Sequence, residues 1–217
     1  MSKHSILVAI PALNGQVSHL TCNGLFESGD LYSSLLFHPG RASLTLVRDE
    51  LAATFLRSPY ETLALIDSDI GFTRRHFQQL VTAHKQYRFI GGAVPFRSPE
   101  QYGHVCAEIV DSARTLGGEI LACKWMTLGF SLIHRSVFQA IIDSEVVTPY
   151  RADHNQTMHN FFPCKSDGGE LKSECMTFCE KSTFVGLPPF LHCGVEVTHV
   201  GPYVYRFPQN AEPMQST

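Results

Sequence analysis

Apolar residues along this chain come in short dense runs separated by polar stretches, and two spacings recur within the runs. Ile6 to Ile10 is continuous and largely aliphatic, the pattern of a strand covered on both faces, and Pro11 is expected to stop it before a loop over Ala12 to Gly15. A second strand is predicted at Leu31–Phe37, closed by His38-Pro39-Gly40. Leu44, Val47, Leu51, Ala52 and Phe55 then fall on one helical face, and Ser58-Pro59 ends that helix. Thr62–Ile66 repeats the buried-strand signature. Thr73 is placed to cap a helix carrying Phe77, Leu80, Val81 and His84 on one side, and Phe89-Ile90 starts a strand into Gly91-Gly92.

Strands alternating with helices in the order β-α-β-α-β predict a mostly parallel sheet, whose ligand edge is where the strands end. Beyond it, Val105–Val110 and Ile120–His134 read as extended runs broken by Gly117-Gly118 and Gly129, an antiparallel extension followed by a helix at Val137–Ser144. Residues 145–169 turn polar and rich in Pro, Asn, His and Gly, the composition of a long loop or lid. A helix over Leu171–Phe184 and a strand over Val195–Val200 complete the pattern.

Length and charge narrow what such a sheet can serve. With 217 residues the expectation is one domain over 1–217, since domains commonly run to roughly 100–200 residues. A net charge of −3, from 17 basic and 20 acidic side chains, argues against nucleic acid or an acidic membrane surface as the main partner. Seven cysteines, an odd number, do not read as a disulfide framework in a chain of this size. Ile6–Ile10 is too brief for a signal-peptide core, and no segment approaches the roughly 18 apolar residues of a membrane helix. Together these place the protein in the cytoplasm, with no membrane span.

Candidate chemistry sits directly after Leu63-Ala64-Leu65-Ile66, where Asp67-Ser68-Asp69 puts two carboxylates past the end of a buried strand. There they can share a hard divalent cation, which neutralises a departing diphosphate without a proton transfer. Asp-x-Asp triplets are also frequent in polar turns, and it is the position after a fully apolar strand that favours the site. His199, near the end of the last extended run, can add an imidazole to give a mixed nitrogen and oxygen shell suited to manganese. For any single one of 11 histidines a satisfied structural role is the simpler reading, and Glu196 is most simply an exposed strand position.

These pieces, with Ile10-Pro11-Ala12, Arg48, LALIDSDIGF at 63–72, FIGGAVPFR at 89–97, TLGFSLIHRSVF at 127–138, SECMTFCEKSTFVG at 173–186 and VTHVGPY at 197–203, resemble the GT-A class of nucleotide-sugar-dependent glycosyltransferases. The resemblance covers nearly the whole chain in order. It implies a Rossmann-like α/β fold, a mostly parallel central sheet with helices on both faces and a small antiparallel extension. It also implies a divalent cation, Mn2+ or Mg2+, and a nucleoside diphosphate sugar as donor substrate to a carbohydrate or other hydroxyl acceptor. By match, Pro11, Ala12 and Asn14 line the base and ribose pocket with Arg48 nearby, within a nucleotide-binding half of about residues 1–100. Asp67 and Ser68 lie at the ribose or a metal-bound water, Asp69 and His199 ligate the metal with Asp67 in the same set, and Arg97, Trp125 and Gly129 face the donor sugar in a half running to residue 217. The bland alternatives are a solvated Arg48, a loop cation at Arg97 and a core aromatic at Trp125.

One departure concerns the base. Many inverting members carry two acidic residues where this chain has Glu174-Cys175, and the second is the general base. Cys175, Phe178 and Cys179 share an apolar stripe with Leu171, so packing explains both thiols, and Glu174 is left as the catalytic candidate beside Asp69, with Asp153 and Asp167 in reserve. Three competing readings follow. Loss of the second carboxylate leaves a catalytically impaired nucleotide-sugar-binding module. Cys164, Cys175, Cys179, His192, Cys193 and His199 offer a structural zinc set, though with irregular spacing and no Cys-x-x-Cys pair. A sugar nucleotidyltransferase would need a basic phosphate loop, and Pro11–Val17 holds neither Lys nor Arg. So compact a chain also implies that acceptor choice comes from residues 145–169, the C-terminal segment, or a further domain or partner.

Overall fold

A computed structural model describes residues 5–12, 15–39, 43–101, 103–111, 119–151 and 157–207. Its elements are strands β1 (Ile6–Ala12), β2 (Ser34–Pro39), β3 (Thr62–Ile66), β4 (Ile70–Gly71), β5 (Phe89–Ala93), β6 (Ala107–Ile109), β7 (Ile120–Met126) and β8 (Phe130–His134), then β9 (Pro149–Arg151), β10 (Thr157–His159), β11 (Lys165–Asp167), β12 (Glu170–Lys172), β13 (Phe190–Glu196), β14 (Thr198–Val200) and β15 (Val204–Tyr205). The helices are α1 (His19–Glu27), α2 (Leu44–Arg57), α3 (Arg74–His84), α4 (Arg135–Asp143) and α5 (Glu174–Phe184).

Eight strands form one sheet in the order β2-β1-β3-β8-β5-β13-β7-β6. β8 runs antiparallel to both β3 and β5, and β7 antiparallel to β13 and β6, so the other six strands share one direction. Alternate residues of each central strand enter two separate cores. Val8, Ile10, Ala64, Ile66, Ile90 and Leu132 pack with Leu25 of α1 and Phe77, Leu80 and Val81 of α3. Leu7, Ala9, Leu63, Leu65, Phe89 and Ile133 pack on the other face with α2, α4 and α5 through residues such as Phe55, Phe138 and Phe178. Burial on both faces is the reason the strands read as unbroken apolar runs. The mostly parallel α/β architecture with helices on both faces is as the sequence implied.

Several boundaries move, each for a local reason. β1 passes through Pro11 to Ala12, because its pairing with β3 ends at Ala9 and beyond that point only β2 lies alongside. A missing N–H is tolerated where one side of the strand is unpaired. β2 begins at Ser34, after Leu31 has been buried in the preceding turn. Leu171 lies on β12 and is exposed, so it does not extend the stripe of Cys175, Phe178 and Cys179, all three of which are buried on α5. The run Val195–Val200 is divided between β13 and β14, and residues 145–169 hold the hairpin β9–β10 and strand β11. Gly117 and Gly118 lie outside the described residues. All seven cysteines are free, and no described helix is long and apolar enough to cross a membrane.

Helix α1 has no counterpart in the sequence reading. Its buried residues are Thr21, Gly24 and Leu25, while Phe26 is 90% exposed, so its packing face is small and polar and carries no apolar period. A Cβ on Gly24 would stand 2.6 Å from the Phe72 carbonyl oxygen and 2.9 Å from its ring. Elsewhere Gly→Ala inside a helix gains about 1 kcal/mol. Here the sign reverses: Gly24→Ala is expected to destabilise the fold by about 1–3 kcal/mol through overpacking, read as a lower midpoint in urea denaturation, and a stabilised variant would refute this docking.

Candidate active site

Three backbone contacts fix the Asp67-Ser68-Asp69 loop where β3 ends. The Asp67 amide donates to the Gly129 carbonyl (2.9 Å), the Ser18 amide to the Ser68 carbonyl (2.7 Å), and the Val200 amide to the Asp69 carbonyl (2.8 Å). The Thr21 hydroxyl lies within reach of both the Ser68 and Ile70 carbonyls, so the neglected helix α1 is a buttress of this loop. β4 and β14 pair antiparallel, with His199 opposite Ile70, which delivers the imidazole to the loop from the far end of the chain.

His199 Nδ1 lies 3.0 Å from the Pro95 carbonyl oxygen. A carbonyl accepts only, so Nδ1 carries the proton and Nε2 presents its lone pair in the neutral ring. Nε2 stands 3.4 Å from Asp69 Oδ2, and Arg97 Nη1 is 2.7 Å from the same oxygen. Burial lowers the His199 pKa, but the hydrogen bonds to Asp69 and the Pro95 carbonyl and the Asp69 charge leave it raised overall. Burial likewise raises the Asp69 carboxyl, and its hydrogen bond with His199 and the charges of His199 and Arg97 outweigh this and hold it low. One oxygen and one oriented nitrogen suit a divalent cation of the manganese type, with a second-sphere carbonyl setting the tautomer. Among the described residues no group of three His, Cys, Asp or Glu side chains is close enough to hold a metal. Asp69 and His199 are the two side chains at this loop that could serve a cation together.

Asp67 faces a different partner. Arg48, only 1% exposed on α2, donates from Nη2 to both Asp67 oxygens (3.0 and 3.1 Å) and from Nη1 to Glu174 Oε1 (2.6 Å) and Cys175 Sγ (3.1 Å). Burial alone would lower the guanidinium pKa, but Asp67, Cys175 and Glu174 raise it above its ordinary value. Gly129 makes room for this arrangement, since a Cβ there would meet Asp67 Oδ2 at 2.7 Å. Glu174 is the first residue of α5, behind its N-cap Ser173. Cys175 is buried beside it, and burial pushes its thiol pKa up.

The expected site residues are distributed accordingly. Asp69, His199 and Arg97 meet in one cluster, and Arg48, Asp67 and Glu174 in another, joined through the loop that carries both aspartates. Pro11 and Ala12 are buried at the end of β1. Ser68 contributes its carbonyl to the loop's anchorage. Trp125 is half-buried against the core with its indole N–H donated to Glu108 Oε2 (3.0 Å). Asp167 is exposed on β11 in an ion pair with Lys172. Asn14 and Asp153 lie outside the described residues. The thiols and imidazoles considered for zinc form no cluster of three among the described residues, with Cys179 wholly buried and Cys164 exposed.

Asp49 escaped notice in the sequence. It is buried beside Arg48, accepting from the Tyr150 hydroxyl (2.8 Å) and from the amides of Phe161 (2.9 Å) and Phe162 (3.2 Å), while Lys181 donates to the Asn160 and Phe161 carbonyls. Burial pushes the Asp49 carboxyl up to about 6 despite these donors. Two adjacent residues of one helix turn therefore serve the Asp67–Asp69 loop and the β9–β10 hairpin respectively. A charged pair inside an otherwise amphipathic helix is the only signal the sequence offers for it.

No family model matches this chain, nor does any curated protein sequence. Among solved structures, A197 from STIV is similar over 97% of this chain and 97% of that chain, with a TM-score of 0.60 and 14% identity. GalNAc-T7 with UDP, GalNAc and Mn2+ is similar over 98% of this chain and 46% of that chain, with a TM-score of 0.53 and 12% identity. The fold is of the GT-A glycosyltransferase type. Identities this low speak to fold alone.

The ion pair at the loop gives a direct test. The raised His199 pKa means that the charged imidazole contributes stability below its unfolded value, about 6.5, and that this is lost as pH rises through the higher folded value. Asp69→Asn is expected to lower the His199 pKa, followed through its ring-proton shifts in an NMR titration. An unchanged pKa would show that Asp69 does not hold this ring.

Proposed function

We propose that the protein is a metal-dependent glycosyltransferase, moving a sugar from a nucleoside diphosphate sugar to a hydroxyl acceptor. The observation that carries this reading is the convergence of Asp69 and His199 Nε2, 3.4 Å apart, at the ending edge of a GT-A sheet. Asp69 and His199 would hold Mn2+ or Mg2+, and the bound cation would neutralise charge growing on the leaving diphosphate. The nucleoside end of the donor lies toward Pro11, Ala12 and Asn14, with the 1–100 half serving it and the remainder serving sugar and acceptor.

This chain's own groups then have distinct work. Arg97 adds a second positive charge at the Asp69 end, where phosphate oxygens would arrive. Arg48 holds the Asp67 carboxylate on both oxygens, so Asp67 meets the ribose or a metal-bound water in one fixed orientation. Glu174 keeps Oε2 outside the contact that Arg48 makes with Oε1. As the acceptor oxygen bonds to the anomeric carbon and the diphosphate departs, its proton passes to Glu174. Cys175 stays a neutral thiol and takes no proton. The ring face of Trp125, its N–H already committed to Glu108, and the backbone at Gly129, against which Asp67 lies, border the donor sugar. The cytoplasm remains the proposed compartment, in keeping with seven free thiols.

A second reading draws on one feature: Glu174 is bound by a buried cation and its neighbour is a thiol, as expected of a module that binds nucleotide sugar without turnover. Thermal shift with nucleoside diphosphates and their sugars separates the two when paired with a transfer assay. The wild type is expected to be stabilised by one nucleotide class only with Mn2+, more strongly as pH rises and His199 deprotonates. Asp69→Ala should lose that shift, and Glu174→Gln should keep it while transfer falls about 100-fold or more. Metal-dependent binding without turnover in the wild type would instead establish the binding module, and full activity in Asp69→Ala would sink the metal assignment.

A further inference from the structure

A cleft of ≈ 440 Å³ opens alongside α3, where that helix faces β13 and the start of β7, and it shares no residue with the site of Asp69 and Glu174. Gln78, Gln79 and Gln86 project into it from α3 and the turn that follows. None of the three carboxamides is hydrogen-bonded to another described residue, in contrast with Gln139, which donates to Asp143. His192 closes the cleft from β13 with its side chain 7% exposed, and its Nδ1 has no hydrogen-bond partner. Glu119 Oε1 is the nearest carboxylate oxygen to that nitrogen, at 3.8 Å. Tyr87 lines another side, its ring braced on Phe190 with centroids 4.6 Å apart.

The chemistry of this lining selects a ligand class. Among the described residues no Lys or Arg lines the cleft, so these residues offer a phosphate or carboxylate ligand no counter-charge. Glu119 is the one carboxylate among the described lining residues, too few for a cation on its own, and burial lowers the His192 pKa, against the opposing charge of Glu119, which favours the neutral imidazole. What remains is several groups that each donate and accept, around a braced aromatic face. Adjacent hydroxyls of a sugar ring match carboxamides in both roles, and the C–H face of the ring packs on an aromatic. The volume falls in the range of small-ligand sites, roughly 300–1,000 Å³.

We infer that the cleft between α3 and β13 is a second, non-catalytic site for a neutral saccharide. Gln78, Gln79, Gln86 and His192 bond its hydroxyls and Tyr87 supports its ring. The inference does not depend on the reaction proposed above. It is tested with the full chain, labelled and applied to an array of neutral oligosaccharides and short peptides in EDTA without nucleotide, followed by titration calorimetry on the glycan bound best. Saccharide binding is expected to survive Asp69→Ala and to weaken about tenfold in each of Gln79→Leu and Gln86→Leu, both changes at positions outside the core. Capture of no glycan, capture of peptides only, or glycan affinity untouched by both glutamine variants would overturn it. Glycan binding abolished by Asp69→Ala would move the saccharide to the catalytic edge and equally refute the second site.

Discussion

A guanidinium sealed away from water cannot shed its charge at any accessible pH, and everything packed around it must answer that charge. Arg48 is such a group. Its forks fix Asp67 at the end of β3 and Glu174 at the start of α5, two residues with no other reason to be held at one spacing. Taking away both carboxylates would leave an uncompensated buried ion, and breaking a buried pair typically costs about 3–5 kcal/mol. The site is therefore rigid because its electrostatics are unforgiving. The other end of α2 is secured as firmly: Arg135 donates to the carbonyls of Phe55, Leu56, Ser58 and Tyr60 and stacks over the Phe55 ring, closing the helix's unpaired acceptors.

Charge is organised in two clusters at the edge where β3 ends. The inner one centres on the buried Arg48, in direct contact with the partly exposed Asp67 and Glu174. In the outer one the half-exposed Arg97 meets Asp69, which also faces His199. Asp49 extends the inner cluster by holding the segment after β10, whose Pro163 carbonyl accepts from Thr177 in the first turns of α5. Glu174 is in this way steadied both directly and through its own helix.

Much of the framework was legible because buried strands advertise themselves: β1, β3, β5 and β8 are apolar enough to be read without knowledge of their neighbours. Asp67, Asp69 and His199 were legible by position, since a carboxylate just past such a strand must emerge at the ligand edge. Helix α1 was silent because it docks with Thr21 and Gly24, residues that permit close approach without adding apolar area. Leu171 misled because an apolar residue three positions ahead of a helix looks like one more turn of it. The partition of the two aspartates could not be read either. Asp67 meets Arg48 in a space that Gly129, lacking a Cβ, leaves for its carboxylate, a contact between distant parts of the chain.

The junction between β13 and β14 has a consequence for assembly. It carries the chain out of the eight-stranded sheet and into a three-stranded one with β4 and β15, so that His199 reaches a loop laid down much earlier by Asp69. During synthesis the first half of the chain can build its strands and display both aspartates long before the imidazole emerges. The contact between His199 and Asp69 therefore cannot form until β14 has been made, which puts it among the last long-range contacts the chain can close.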